Sequence, residues 1–115
     1  MNKDQSQLPK VAFSILLALS LRERHGYEII KQVEEDSNGK IKLGPGALYT
    51  SIKQLHGRGL ILEVAHKDDT RRRYYKLSGA GRKVLDEELL YYENAVALAR
   101  KRQALNHINP HVQGA

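Results

Sequence analysis

Apolar positions along the chain fall into four helical stretches and one pair of short extended runs. From Pro9, "KVAFSILLALSLRER" carries Val11, Ala12, Phe13, Ile15, Leu16, Leu17, Ala18, Leu19 and Leu21. A helix that is apolar nearly all round is covered on more than one side, and Pro9 suits its first position. After Gly26, "YEIIKQVEEDSNG" puts Tyr27, Ile30 and Val33 on one face with Ile29 beside it, and Asn38-Gly39 supplies a stop. "KIKL", residues 40 to 43, has room for a stub of strand. A third helix opens sharply at Gly44-Pro45-Gly46, where the fixed backbone angle and missing donor of proline carry no penalty. Its inward face is Leu48, Ile52 and Leu55, and its outward face is Gly46, Thr50, Lys53, Gln54 and Gly57.

The extended runs follow. "LILEVAH" and "RRRYYKL" are β-prone and flank "KDDT", a turn-favouring sequence, so a two-stranded hairpin with a basic tip and a basic second strand is expected. Of Tyr74 and Tyr75, one should face the core and one the surface. Ser78 is placed to cap a long last helix from about Gly79 to Asn106. Its apolar positions Leu85, Leu89, Tyr92, Val96 and Ala99 step by four and three, a heptad-like seam. Such a seam in water asks for a partner, and the second face of the first helix, with Phe13 and Leu17, asks for one too. The expected division is residues 1–78 as a compact unit, 79–106 as a dimerisation helix, and 107–115 as a disordered tail.

Charge adds a direction to this layout. The 115-residue chain carries a net charge of +6. Residues 53 to 83 hold nine Lys or Arg against three Asp or Glu, so this segment contains the whole excess. A basic excess confined to one stretch is the footprint of a polyanion-binding surface; a solvated charged loop is the plainer alternative. With no cysteine, disulfides and thiolate chemistry are excluded. The apolar run near the N-terminus stops well short of a bilayer span, so a cytoplasmic protein with no membrane partner is expected. The five histidines lack a paired carboxylate at a motif spacing, and Pro110 interrupts His107 and His111. No phosphate loop, dinucleotide fingerprint or nucleophile elbow occurs. No catalytic residue, metal site or cofactor is expected.

Two short helices, the second opening abruptly, followed by a basic hairpin, describe a winged helix-turn-helix: a mainly α fold with a small β wing. A helix entering the major groove needs small residues near its start, and Gly46 and Ala47 meet that need. On the same outward face Tyr49 would touch the DNA backbone, while Thr50, Lys53 and Gln54 could reach bases or phosphate. Arg71, Arg72 and Arg73 would follow a neighbouring groove.

"HGYEIIKQVEE", "LGPGALYTSIKQLHGRGLI" and "RRRYYKLSGAGRKVL" together resemble the signature blocks of PadR-type transcriptional regulators, over roughly residues 9 to 100. The resemblance implies a winged helix domain with a C-terminal dimerisation helix, double-stranded DNA as partner, a homodimer, and usually repression. It also implies a small aromatic or apolar effector held between the last helices and the first. Three features depart from the family pattern. Thr50 stands where proline is common after the tyrosine, and Gly44 where a capping Ser or Thr is usual. The last helix has no tryptophan for an aromatic ligand sandwich. A different class remains in view: a dimeric adaptor whose basic wing binds an acidic partner or RNA.

Overall fold

A computed structural model describes residues 8–108. In chain order the elements are α1 (Lys10–Leu19), β1 (Arg24–His25), α2 (Gly26–Asp36), α3 (Pro45–Gly57), β2 (Ile61–Val64), β3 (Tyr74–Leu77) and α4 (Gly79–Ile108). The three strands form one antiparallel sheet in the order β1-β3-β2. The core lies where α1, α2, α3 and the first turns of α4 converge on that sheet, with Ile15, Leu16, Ile29, Val33, Leu48, Leu55, Ile61 and Leu85 fully buried.

Several boundaries differ from the sequence reading, each for a local reason. Pro9 is the N-cap of α1 and not its first helical residue. α1 ends at Leu19, although the apolar pattern runs on to Leu21. Ser20 closes it by donating both its N–H, at 3.1 Å, and its hydroxyl, at 2.6 Å, to the Leu17 carbonyl. The chain then extends as β1, with Arg24 opposite Tyr75 and His25 opposite Tyr74. The hairpin is thus the larger part of a three-stranded sheet. Residues 40 to 43 add no strand; Ile41 and Leu43 pack on the core instead.

β2 and β3 pair from Ile61–Leu77 to Val64–Tyr74. Arg71, Arg72 and Arg73 therefore belong to the loop between the strands, not to the second strand. Tyr74 and Tyr75 are both buried. Adjacent strand residues face opposite sides of a sheet, but here both sides are covered: Tyr75 by the core, Tyr74 by two imidazoles. His66 stacks on Tyr74 at 3.6 Å between ring centres, and His25 meets it edge-on at 5.2 Å.

Ser78 caps α4 as expected: the Gly81 N–H donates to its hydroxyl at 2.9 Å, and the hydroxyl donates to the Gly59 carbonyl at 2.6 Å. A Cβ on Gly81 would overlap the Leu60 carbonyl, so glycine lets α4 seat directly on the entrance to β2. At about 1.5 Å per residue, the 30 residues of α4 explain a molecule measuring 61 × 34 × 22 Å. The helix passes Asn106 and reaches Ile108, so residues 107 and 108, assigned above to the tail, are helical. The tail from 109 on lies outside the described residues.

Candidate nucleic-acid interface

The ends of α3 are fixed by backbone chemistry. Gly44 is the N-cap in extended conformation and Pro45 the first helical residue. At the other end Gly59 takes φ +75°. Its N–H donates to the His56 carbonyl at 2.9 Å, and the Leu60 N–H to the Leu55 carbonyl at 3.0 Å, a Schellman stop. Between these ends Leu48, Ile52 and Leu55 are buried, while Gly46, Ala47, Tyr49, Thr50, Lys53 and Gln54 are exposed.

Tyr49 departs from that open face by leaning back over the start of α2. A Cβ on Gly26 would overlap the Tyr49 hydroxyl and lie 3.1 Å from Leu48 Cδ2. Glycine at 26 is what lets α2 and α3 approach so closely. Just before it, His25 acts as N-cap: its Nδ1 accepts from the Glu28 N–H at 3.3 Å, and the Glu28 carboxylate accepts from the His25 N–H at 3.1 Å. This is a reciprocal capping box built on histidine. Burial works against the Glu28 charge, but the hydrogen bond from His25 and the Arg22 guanidinium outweigh it and hold the carboxyl below its ordinary value.

The wing loop is tied down on several sides. His66 bonds Glu23, and Tyr74 donates to Asp69 at 3.2 Å. Burial, then that Asp69 carboxylate, pushes the Tyr74 phenol up; burial, then the Glu63 charge, does the same at Tyr75. The three arginines are not equivalent. Arg72 lies 2.8 Å from His25 Nε2 and 3.5 Å from Asp69. Arg73 faces Glu63 at 3.8 Å. Arg71 makes no ion pair among the described residues.

His25, Gly26, Tyr27, Tyr49, Arg71, Arg72 and Arg73 line one cleft of about 540 Å³. Four residues expected to meet DNA (Tyr49, Arg71, Arg72 and Arg73) are thus brought together, whereas Gly46, Ala47, Thr50, Lys53 and Gln54 lie outside this cleft on the exposed face of α3. His25, Gly26 and Tyr27 complete the cleft and were not anticipated. The available signal was the spacing of His25 and Glu28, that of a capping box, with histidine in the place usual for serine or threonine.

The first-helix and last-helix residues expected at a dimer interface divide. Leu85 is fully buried in the protomer's own core, so it is not available to a partner. Its position in the first turns of α4, within the core cluster, is the reason. Leu89, Tyr92 and Val96 are exposed, with Leu90, Tyr91 and Leu98 beside them, and Ala99 is exposed as well. Phe13 packs edge-on against Tyr92 at 5.2 Å and is partly buried, as is Leu17.

A family model described as the transcriptional regulator PadR-like family matches residues 15–87. The chain belongs to that family. It is a DNA-binding transcriptional regulator by that membership. A transcriptional regulator from Clostridium thermocellum is similar at 25% identity and TM-score 0.67, over 79% of this chain and 87% of its own. A PadR family transcription regulator from Clostridium difficile R20291 is similar at 22% identity and TM-score 0.70, over 83% and 99%. RosR of H. salinarum is similar at 24% identity and TM-score 0.68, over 93% and 94%. No curated protein matches the chain in sequence. Among the described residues, no helix is long and apolar enough to cross a membrane. The PadR-like regulator shares its winged helix fold with these structures.

Proposed function

We propose that this PadR-like regulator is a cytoplasmic, non-catalytic repressor that binds a pseudo-palindromic operator as a homodimer and is released by a small apolar or aromatic effector. The observation that carries the DNA-binding part is the cleft that joins Tyr49 of α3 to Arg71, Arg72 and Arg73 of the wing. Gly46, Ala47, Thr50, Lys53 and Gln54 stand exposed on the same helix. α3 enters the major groove with its small first residues against the duplex; Thr50 and Gln54 read base edges, and Lys53 meets phosphate. The wing arginines supply affinity more than sequence choice.

Dimerisation is supported by the exposed Leu89, Tyr92 and Val96 on the free length of α4. The effector is supported by an apolar groove of about 350 Å³ where Phe13, Leu17, Val33, Ile41 and Tyr92 meet. It adjoins the exposed face of α4, so an occupant there would feel how a second copy docks.

Binding of duplex DNA, a scrambled duplex and RNA, each followed against salt, tests this reading. Duplex and sequence preference are expected. Removing Arg71, Arg72 and Arg73 together should flatten the salt dependence by about 0.9 in log–log slope for each phosphate that is no longer neutralised. Equal binding of RNA, or capture of an acidic protein in preference to duplex, would favour the adaptor reading instead.

A further inference from the structure

We propose that His25 and Arg72 together hold one backbone phosphate of the duplex, in the cleft between the start of α2 and the wing. This rests on the reading of the chain as a duplex-binding regulator and adds an anchor that the helix and wing do not require.

The His25 side chain is only 8% exposed. Its Nδ1 accepts the Glu28 N–H, and a backbone N–H can only donate, so Nδ1 carries a lone pair. In neutral imidazole the proton then sits on Nε2. Facing Nε2 at 2.8 Å is Arg72 Nη1, and a guanidinium also can only donate. Two donors therefore converge with no acceptor between them. The other tautomer moves the conflict to the helix cap, and protonation of both nitrogens creates it at both ends.

The carboxylates nearby do not resolve it. Glu28 Oε1 is 3.7 Å from Nε2 and already accepts from the His25 N–H. Asp69 Oδ2 lies 3.5 Å from Arg72 Nε, on the other edge of the guanidinium, and this pairing turns Nη1 toward His25. Glu23 is engaged by His66. An anionic oxygen shared by both donors would satisfy the two at once. The cleft opens to solvent beside Tyr27 and Tyr49, and the positive end of the α2 dipole favours an anion there. Because the bond is to phosphate, it fixes where the protein sits on the duplex and is blind to sequence.

Two variants separate this role from capping. His25→Asn keeps a good N-cap, since the Asn side-chain oxygen accepts from the first turn, but has no donor at the position of Nε2. Arg72→Ala removes the second donor from an exposed loop. Each is measured by thermal unfolding and by affinity for a duplex that the wild-type chain selects from random sequence. A set of duplexes with single neutral methylphosphonates is then scanned. His25→Asn, which gives up the edge contact with Tyr74, should still unfold cooperatively at a modestly lower temperature. It should bind both selected and scrambled duplex about ten- to a hundredfold more weakly, as expected when one hydrogen bond to a charged group is removed. Its salt slope should be unchanged, whereas Arg72→Ala should lower the slope by about 0.9. One methylphosphonate position should weaken the wild type yet cost neither variant anything further. If His25→Asn binds as the wild type does, or if the two variants become indifferent to different phosphates, this inference is overturned and the regulator reading stands. If the wild-type chain selects and binds no duplex, both fall.

Discussion

At the start of α2 the Glu28 carboxylate is shared between the His25 N–H, 3.1 Å away, and the Arg22 guanidinium, 3.3 Å away. Folding favours its charged form, so its carboxyl titrates below the ordinary 4.5. The stabilisation is present in full above that value and is lost as pH falls through the lowered one. Glu28→Gln should therefore cost about 0.5 kcal/mol at neutral pH, and the gap to wild type should close as pH falls through the lowered value, as read by urea unfolding across pH. A second residue-scale prediction concerns Gly26. Its Ala variant must push aside the Tyr49 hydroxyl and Leu48 Cδ2, so a loss of about 1–3 kcal/mol is expected. Because the tightest overlap is with the hydroxyl, adding Tyr49→Phe should recover part of that loss. Full additivity of the two changes would show that the ring does not sit over Gly26.

Among the elements, α3 was legible because residues within or next to it set its limits. Pro45 allows one start, the glycine at 59 allows a left-handed stop, and Leu48, Ile52 and Leu55 mark the buried face. The end of α1 was not legible, because the apolar pattern continues to Leu21, which the fold leaves 66% exposed. What ends the helix is Ser20 folding back on Leu17, followed by pairing of Arg24 and His25 with Tyr75 and Tyr74. That pairing is remote in sequence and leaves no local pattern. The burial of Tyr74 was hidden for the same reason, since the imidazoles that cover it come from β1 and the wing loop. So was the cleft: Arg71, Arg72 and Arg73 could be read as basic, but not that His25 would face them. The junction of β2 with α4 gives the element-scale prediction. Gly81→Ala forces a methyl against the backbone carbonyl of Leu60, which cannot rotate away. A loss of about 3 kcal/mol is expected, at the upper end for overpacking, with a matching fall in the thermal midpoint. A loss under about 0.5 kcal/mol, the range of ordinary surface changes, would mean that α4 is not seated on Leu60.

For the whole molecule, the question is what covers α4. Leu85 is held in the core, whereas Leu89, Tyr92 and Val96 face solvent along the length that overhangs the domain. A second copy is the proposed cover, and its effect on DNA is geometric: a two-fold axis turns two α3 helices toward one face of the duplex. Leu89→Asp combined with Val96→Asp should leave the fold intact, because both side chains are exposed in the protomer. It should yield monomers at micromolar concentration in sedimentation and weaken operator binding by at least tenfold. A double variant that still sediments as a dimer would place the interface elsewhere. The most direct measurement of the central proposal is selection from random duplex DNA by the unmodified chain, followed by sequencing. An enriched inverted repeat is predicted, with half-sites about 10 bp apart or a multiple of it. Recovery of sequences with no shared motif, or of a single unrepeated half-site, would contradict a dimeric operator-binding regulator.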